Sequence, residues 1–561
     1  MPNNPQAATG PSKTRLSVRV DLWSMGALGI AVLVFAPILS VLFMAFWPTE
    51  NIWPHLMATS LPRYMANTLI LMTGVGVLSA SVGAGAAWLT TLYRFPGAGL
   101  AHVLLLAPLA MPAYVGAYAL VDFLQYSGPV QTALRDTFGW SSARDYWFPT
   151  VRARGFAILV LSAALYPYAY LLTRSALREQ PASAYEVARA LGSGPWGLFW
   201  RVGLPLARPA IAAGAALAMM ETVNDYGVVT YFGIQTLTSG IFSVWLSAGN
   251  AGGAAQLAVV LLAVILVLVM VERASRKRQR YYQPARNSRP VLPTQLHGGR
   301  ALLVLFICLV PPLIGFVLPV MVMLGHALAA PTSWLDAGLM RALLHTATTA
   351  GGAAILTVAA ALVMVYGVRL TAGRLPQMLL PLTTLGYAAP GAVLAVGLLI
   401  PLAHFDNWLA DGVLGLTGWD PGLMLTGTAA TIVLAYMVRF FGIAQGAVDS
   451  AFGRISPSLP MAARSLGRDR AATLSQIYLP LMRGSVGTAL LLVFVDATKE
   501  LPATLLLRPF NYDTLATRVH EKASLENLTQ AAPAALLVML VGMCAVVLLA
   551  RAHPMAAPRG Q

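Results

Sequence analysis

The chain has 561 residues, 57% of them hydrophobic and only 10% charged, with a formal net charge of +16 and a mean hydropathy of +0.69. A soluble protein carries about 25% charged residues, so a soluble globular chain is excluded, and the two cysteines, both within apolar stretches, imply no disulfide framework. Apolar stretches of the roughly 20 residues needed to cross a bilayer core recur throughout, which predicts an all-α, polytopic membrane protein.

In chain order, a polar and basic tail, 1–21, precedes a first predicted span, Leu22–Trp47. Its apolar run exceeds the roughly 7–15 residues of a signal h-region, and Trp47-Pro48-Thr49 is not a small-residue cleavage site, so an uncleaved helix is expected. Spans Ala66–Tyr93, Gly99–Leu124, Gly155–Leu172, Pro209–Val229 and Ala254–Val271 follow. Residues 272–300 then hold eight Lys+Arg, three Pro and no apolar run, and read as a basic linker. Beyond it come Ala301–Leu324, Ala342–Val368, Leu375–Leu402, Leu423–Phe441, Gly484–Thr504 and Ala531–Leu549, then a tail, 551–561. The tenth span ends near Arg439, whose head can snorkel to the interface. Cys308 and Cys544 both fall inside spans.

The basic charge has a side. With both termini cytoplasmic, Lys13, Arg15, Arg19, Arg174, Arg178 and the run Arg276-Lys277-Arg278-Arg280 all lie inside, whereas the first outer loop has only Arg63 and residues 231–253 have none. This is the positive-inside asymmetry. It accounts for the net charge by a lipid bilayer and calls for no nucleic-acid partner.

A motif occurs twice at an offset of 275 positions, Glu186 to Met461. The copies read Glu186-Val187-Ala188-Arg189-Ala190-Leu191-Gly192, nine residues, Val202-Gly203-Leu204-Pro205, and Met461-Ala462-Ala463-Arg464-Ser465-Leu466-Gly467, nine residues, Ile477-Tyr478-Leu479-Pro480. In the first copy Ser183 and Glu186 have capping-box spacing, Gly192 offers the left-handed residue that ends a helix, and Trp196–Val202 forms a second helical segment. Met461 leaves Ser458 without a reciprocal partner, so the second cap is expected to be weaker. A mere connector has no reason to repeat with matched spacing. A small rigid helix suits a groove on a partner. The same offset aligns Ser175-Ala176-Leu177 with Ser450-Ala451-Phe452, so residues 22–271 and 301–550 read as two fused six-helix modules in parallel orientation.

The pattern Glu-Ala-Ala, three residues, Gly, nine residues, Ile-x-Leu-Pro resembles the signature loop of permease subunits of bacterial binding-protein-dependent ABC importers. The first copy departs from it at Val187 and Val202, the second at Met461. The resemblance implies a permease in the bacterial inner membrane, with an ATPase dimer in the cytoplasm and a periplasmic binding protein outside. Two coupling helices would dock on the ATPase through Glu186, Ala188, Arg189, Gly192, Leu204 and Pro205, and through Met461, Ala463, Arg464, Gly467, Leu479 and Pro480, with unequal strength. The binding protein would meet outer loops such as 125–154 and 508–526. The chain has no G-x-x-x-x-G-K-[ST] loop, so ATP is expected on the partner, with no cofactor and no enzymatic activity in this chain.

Acidic residues within spans are functional candidates because burying a charge is expensive. The offset pairs Glu221 with Asp496 and Asp225 with Glu500, near the outer end of the fifth helix of each half, with Lys499 beside Glu500 to neutralise it. They read either as packing ion pairs or as an acidic lining of a translocation path; Asp122 in the third span is a further candidate. The run from Lys499 to Phe510 and on through Asp513-Thr514-Leu515-Ala516-Thr517 resembles ferric-iron importer permeases, although thiamine and phosphonate importers share the fused layout. Carboxylates suit a hard cation. No His/Cys/carboxylate cluster has ligand spacing, and His102, His326, His345 and His404 are expected to pack or sit at interfaces. A secondary transporter built of two parallel six-helix halves is the rival architecture. A membrane enzyme would need a nucleophile–base or metal constellation that the chain does not present.

Overall fold

The computed structural model describes residues 22–277, 293–370, 379–380, 383, 389–456 and 458–552. Among these are eleven helices long and apolar enough to cross a membrane, or twelve if one sharply bent pair is counted as a single span. That pair is the predicted third span. Pro108 and Pro112 cannot donate to a helical ladder, so the helix Ala98–Leu106 tightens into a 3-10 turn, Ala107–Ala110, and restarts at Ala113, bent by 99°.

The other spans match the expected order with shifted ends. The first runs Leu22–Phe46, the second Leu61–Leu92, the fourth Arg154–Glu179 and the sixth Ala251–Lys277, beyond the predicted Val271 and into the segment read as linker. The seventh and eighth run Gly298–Ala329 and Ala337–Leu370. Much of the predicted Leu375–Leu402 falls outside the described residues; the helix there runs Gly391–Thr417. The tenth begins at Ala429 rather than Leu423, because Asp406 accepts the backbone amides of Met424, Leu425 and Thr426 and holds them in a loop. The fifth and eleventh end at Asn224 and Thr498, short of the predicted Val229 and Thr504. The twelfth is Leu528–Ala552.

The two halves interlock. The first span packs on the eighth and ninth, with Ala27, Ala31 and Val34 in one core with Ala350, Ala354 and Ala361. Gly367 and Gly397 let the backbone carbonyls of Trp23 and Pro37 approach without a Cβ in the way. Reciprocally, Gly315 of the seventh span lies against the Ala163 carbonyl of the fourth, and Met323 shares a core with Val115 and Leu161. Small residues at such crossings replace a hydrophobic driving force that is absent in lipid. Of the predicted linker, residues 278–292 lie outside the described set. Its far end, Thr294–Gln295, pairs as a short parallel strand with Tyr93–Arg94 of the first half.

Candidate functional site

Both motif copies fold as expected in outline. Ala182–Ala190 and Ser458–Ser465 are short helices, and Gly192 and Gly467 follow them at φ +81° and +79°. Ser193 N–H returns to the Ala188 carbonyl (2.9 Å) and Arg468 N–H to that of Ala463 (3.0 Å), which closes each helix with a Schellman-type bond. The caps differ from expectation. The first helix starts after Pro181 with no side-chain cap, so Ser183 and Glu186 form no capping box. The residue before Ser458 lies outside the described set. It is the turn after the second motif that is capped: Asp469 accepts the Ala472 amide at 2.6 Å.

The predicted segment Trp196–Val202 is one turn, Pro195–Leu198, followed by a π-helical stretch, Phe199–Gly203; its counterpart is Leu474–Tyr478. Each precedes a Leu-Pro pair. Proline lacks the donor for the residue four back and clashes with that carbonyl, and a π turn opens the ladder just before Pro205 and Pro480. Glu186, Arg189 and Gly192 are exposed, as are Met461 and Gly467; Ala188, Leu204, Pro205 and Leu479 are half-buried, Pro480 is exposed and Ala463 is buried. Arg464 lies in the last turn of the second helix. Val187, Leu191, Trp196 and Trp200 add a large exposed apolar surface to the first loop; the second has Leu459, Met461 and Leu466.

The four intramembrane acids converge. Glu221, Asp225, Asp496 and Glu500 line one cavity of about 150 Å³ together with Arg439 and Lys499. It lies level with Tyr168 and Arg439, near the middles of the fourth and tenth spans. The fifth and eleventh helices stop at its floor, and the next residues turn their carboxylates onto the helix that follows. Asp225 Oδ1 accepts the amides of Val228 (2.9 Å) and Val229 (3.1 Å). Glu500 accepts those of Ala503 (2.9 Å) and Thr504 (3.1 Å) and the Thr504 hydroxyl.

The cations are placed differently from expectation. Lys499 pairs with Asp496 (2.9 Å), not with Glu500. Glu500 is 3.8 Å from Arg439, which points inward between helices instead of snorkelling outward. Gly391 makes room for that pair: a Cβ there would strike both side chains. The sequence reading missed Arg439 as a site residue, along with Asn224 and Tyr114. The offset itself carried the signal, since Arg439 answers to Ala164 and Lys499 to Asn224.

Asp122 is outside this cavity and pairs with His326 of the other half (2.8 Å). His102 meets the Tyr170 hydroxyl (2.7 Å), His345 stacks on Tyr512, and His404 bonds the Ile400 carbonyl one turn back. Away from the spans, Asp336 receives the Gly338 amide and pairs with Arg518; the amide, then the guanidinium, holds its carboxyl below the usual aspartate value. Among the described residues no three His, Cys, Asp or Glu side chains gather closely enough to hold a metal ion.

The chain is similar to known proteins in four comparisons. Over 497 residues the chain is 28% identical to the Fe(3+)-transport system permease protein FbpB 2 of Haemophilus influenzae, covering 86% of this chain and 89% of that one. It is 28% identical to the molybdenum transport system permease protein ModB of Escherichia coli K12 over 39% of this chain and 96% of ModB. Among solved structures, a bacterial ABC transporter involved in the import of alginate matches 45% of this chain and 93% of its own at 16% identity and a TM-score of 0.38. Residues 11–281 match the model of the binding-protein-dependent transport system inner membrane component. With its apolar spans, its duplicated loop and a permease relative aligned along both halves, the chain is similar over 86% of its length to ABC-importer permeases, and its first half matches that family's model.

Proposed function

We propose that this permease carries ferric iron from a periplasmic binding protein to the cytoplasm, driven by ATP hydrolysis in two separate ATPase subunits. The observation that carries the reading is the alignment of 86% of the chain, both halves together, with a ferric permease. The face bearing the duplicated loops is cytoplasmic, in keeping with the basic residues that flank it. The two short helices are the coupling helices, and their exposed apolar residues, Val187 and Leu191 in one and Met461 and Leu466 in the other, dock in ATPase clefts. ATP binds those partners and no cofactor resides in this chain. Substrate passes the four-carboxylate cavity between the halves.

The test is uptake by the chain reconstituted in vesicles with its ATPase and binding protein. ATP-dependent accumulation of radiolabelled iron is expected. Accumulation of molybdate, thiamine or a phosphonate without iron would sink the cargo, and uptake driven by an ion gradient with no ATPase would sink the class. The coupling assignment has its own test in Gly192→Pro. Proline cannot adopt φ +81°, so uptake should be abolished while membrane insertion is normal. Unchanged substrate-stimulated ATP hydrolysis in that variant would overturn the assignment.

A further inference from the structure

The cavity between the halves is built from related parts that carry unrelated charge. In the second half both acids are answered by cations of their own half: Asp496 by Lys499 at 2.9 Å and Glu500 by Arg439 at 3.8 Å. In the first half the positions equivalent to these cations hold Asn224 and Ala164. Asp225 is answered only by two helix amides, and Glu221 makes no hydrogen bond and no ion pair within 4 Å among the described residues, although Arg439 and then Lys499 act on it across the cavity. Two neutral oxygens on the first-half side are also left over. The Tyr114 hydroxyl and Asn224 Oδ1 have no hydrogen-bond partner, although these residues are only 4% and 6% exposed and line the cavity. Across the cavity Arg439 Nη1 is likewise without a hydrogen bond, and polar atoms orphaned at such depth call for a water or an ion as partner.

We infer that the first half alone forms a cation site, with Glu221 as its charged ligand, Asp225 beside it, and Asn224 Oδ1 and the Tyr114 hydroxyl as neutral oxygen donors, while the acids of the second half are spent in internal ion pairs. The site takes a small, hard, partly hydrated metal cation. Its volume of about 150 Å³ leaves room for an ion with part of its water shell. Its donors are all oxygen, the preference of hard ions. Four carboxylates against two cations repel an oxyanion. The ion is held by one or two carboxylates rather than a chelating cage, so it binds firmly enough to enter and weakly enough to leave. It sits to one side of the pseudo-twofold axis, against the fifth span. This inference rests on the importer reading and deepens it by naming which residues meet the cargo.

The test uses terbium(III), a hard trivalent ion whose emission is sensitised by nearby tyrosine, added to the full chain with its ATPase in lipid nanodiscs. Wild type is expected to give saturable emission. Glu221→Gln should weaken terbium affinity by at least about tenfold, and Asn224→Leu should weaken it to a smaller degree. The double variant Asp496→Asn/Lys499→Met, which leaves the net charge of the cavity unchanged, should weaken it less than Glu221→Gln does. Equal affinity in Glu221→Gln, or loss of binding in the double variant while it still assembles with the ATPase, would overturn the site. Iron uptake measured in parallel separates this from failure of the cargo reading. Iron uptake by wild type with terbium binding unchanged in Glu221→Gln removes the site and leaves the reading; a Glu221-dependent terbium site in a chain that carries no iron does the reverse.

Discussion

The ends of the fifth and eleventh helices have the same backbone and different chemistry. In each, the helix stops, a carboxylate four residues after the first acid turns back, and two amides of the next short helix bond to it. Around that shared frame the second half adds Arg439 and Lys499, and the first half adds none. The same divergence recurs at the duplicated loops. Trp88 fills the space beside Gly203 in the first half; in the second, Tyr366 meets Tyr478, so the bulk has been redistributed between equivalent partners. Duplicated modules keep the devices that set chain direction, because a helix end without a cap fails locally. They vary the side chains that face a shared cavity or a partner.

The sharpest way to break the comparison is to remove the two capping carboxylates in turn. Glu500→Ala strands Arg439 as a buried unpaired charge and should destabilise the complex by about 3–5 kcal/mol, with Arg439→Met restoring much of that; equal thermal midpoints for Glu500→Ala and wild type would refute the pairing. Next, Gly203→Ala drives a Cβ into the Trp88 ring and should cost about 2 kcal/mol, relieved by Trp88→Leu. A cost that persists in that double variant would show the ring is not the obstacle.

Asp225→Ala loses a helix cap without stranding a cation and should cost only about 1 kcal/mol. A loss as large as that of Glu500→Ala would erase the contrast between the halves. The smallest effect belongs to Asp336, whose partner Arg518 ties the start of the eighth span to the helix Leu515–Ser524. Its folded-state value is depressed, so its contribution is present above the ordinary aspartate value, near pH 4, and is lost as the pH falls through the lower folded value. Asp336 is 46% exposed, so screening limits this to about 0.5 kcal/mol. Stability of wild type and Asp336→Asn should differ at neutral pH and converge in strong acid.

The span count, the repeat and the pairing of four acids were legible in the chain because each rests on local pattern: apolar length, fixed offset, and charges rare enough to notice. Gly192 and Gly467 could be placed at helix ends because left-handed backbone favours glycine. The Ser183–Glu186 cap could not, because Pro181 starts the helix earlier and carries both residues into it. Lys499 was assigned to Glu500 by adjacency, yet side chains at i and i+3 meet on a helix where neighbours diverge, so it reaches Asp496.

What the sequence determined by itself is that this is a helical membrane protein of two related halves, each with one copy of a polar loop and two intramembrane acids. Only the tertiary structure decided that the first and seventh spans cross to the opposite half, that Arg439 turns inward beneath Gly391, and that the four carboxylates share one cavity in which the close ion pairs both belong to the second half. The physical reason is that periodicity and offset act along the chain, whereas charge compensation depends on which residues, hundreds of positions apart, are brought within a few ångströms by packing.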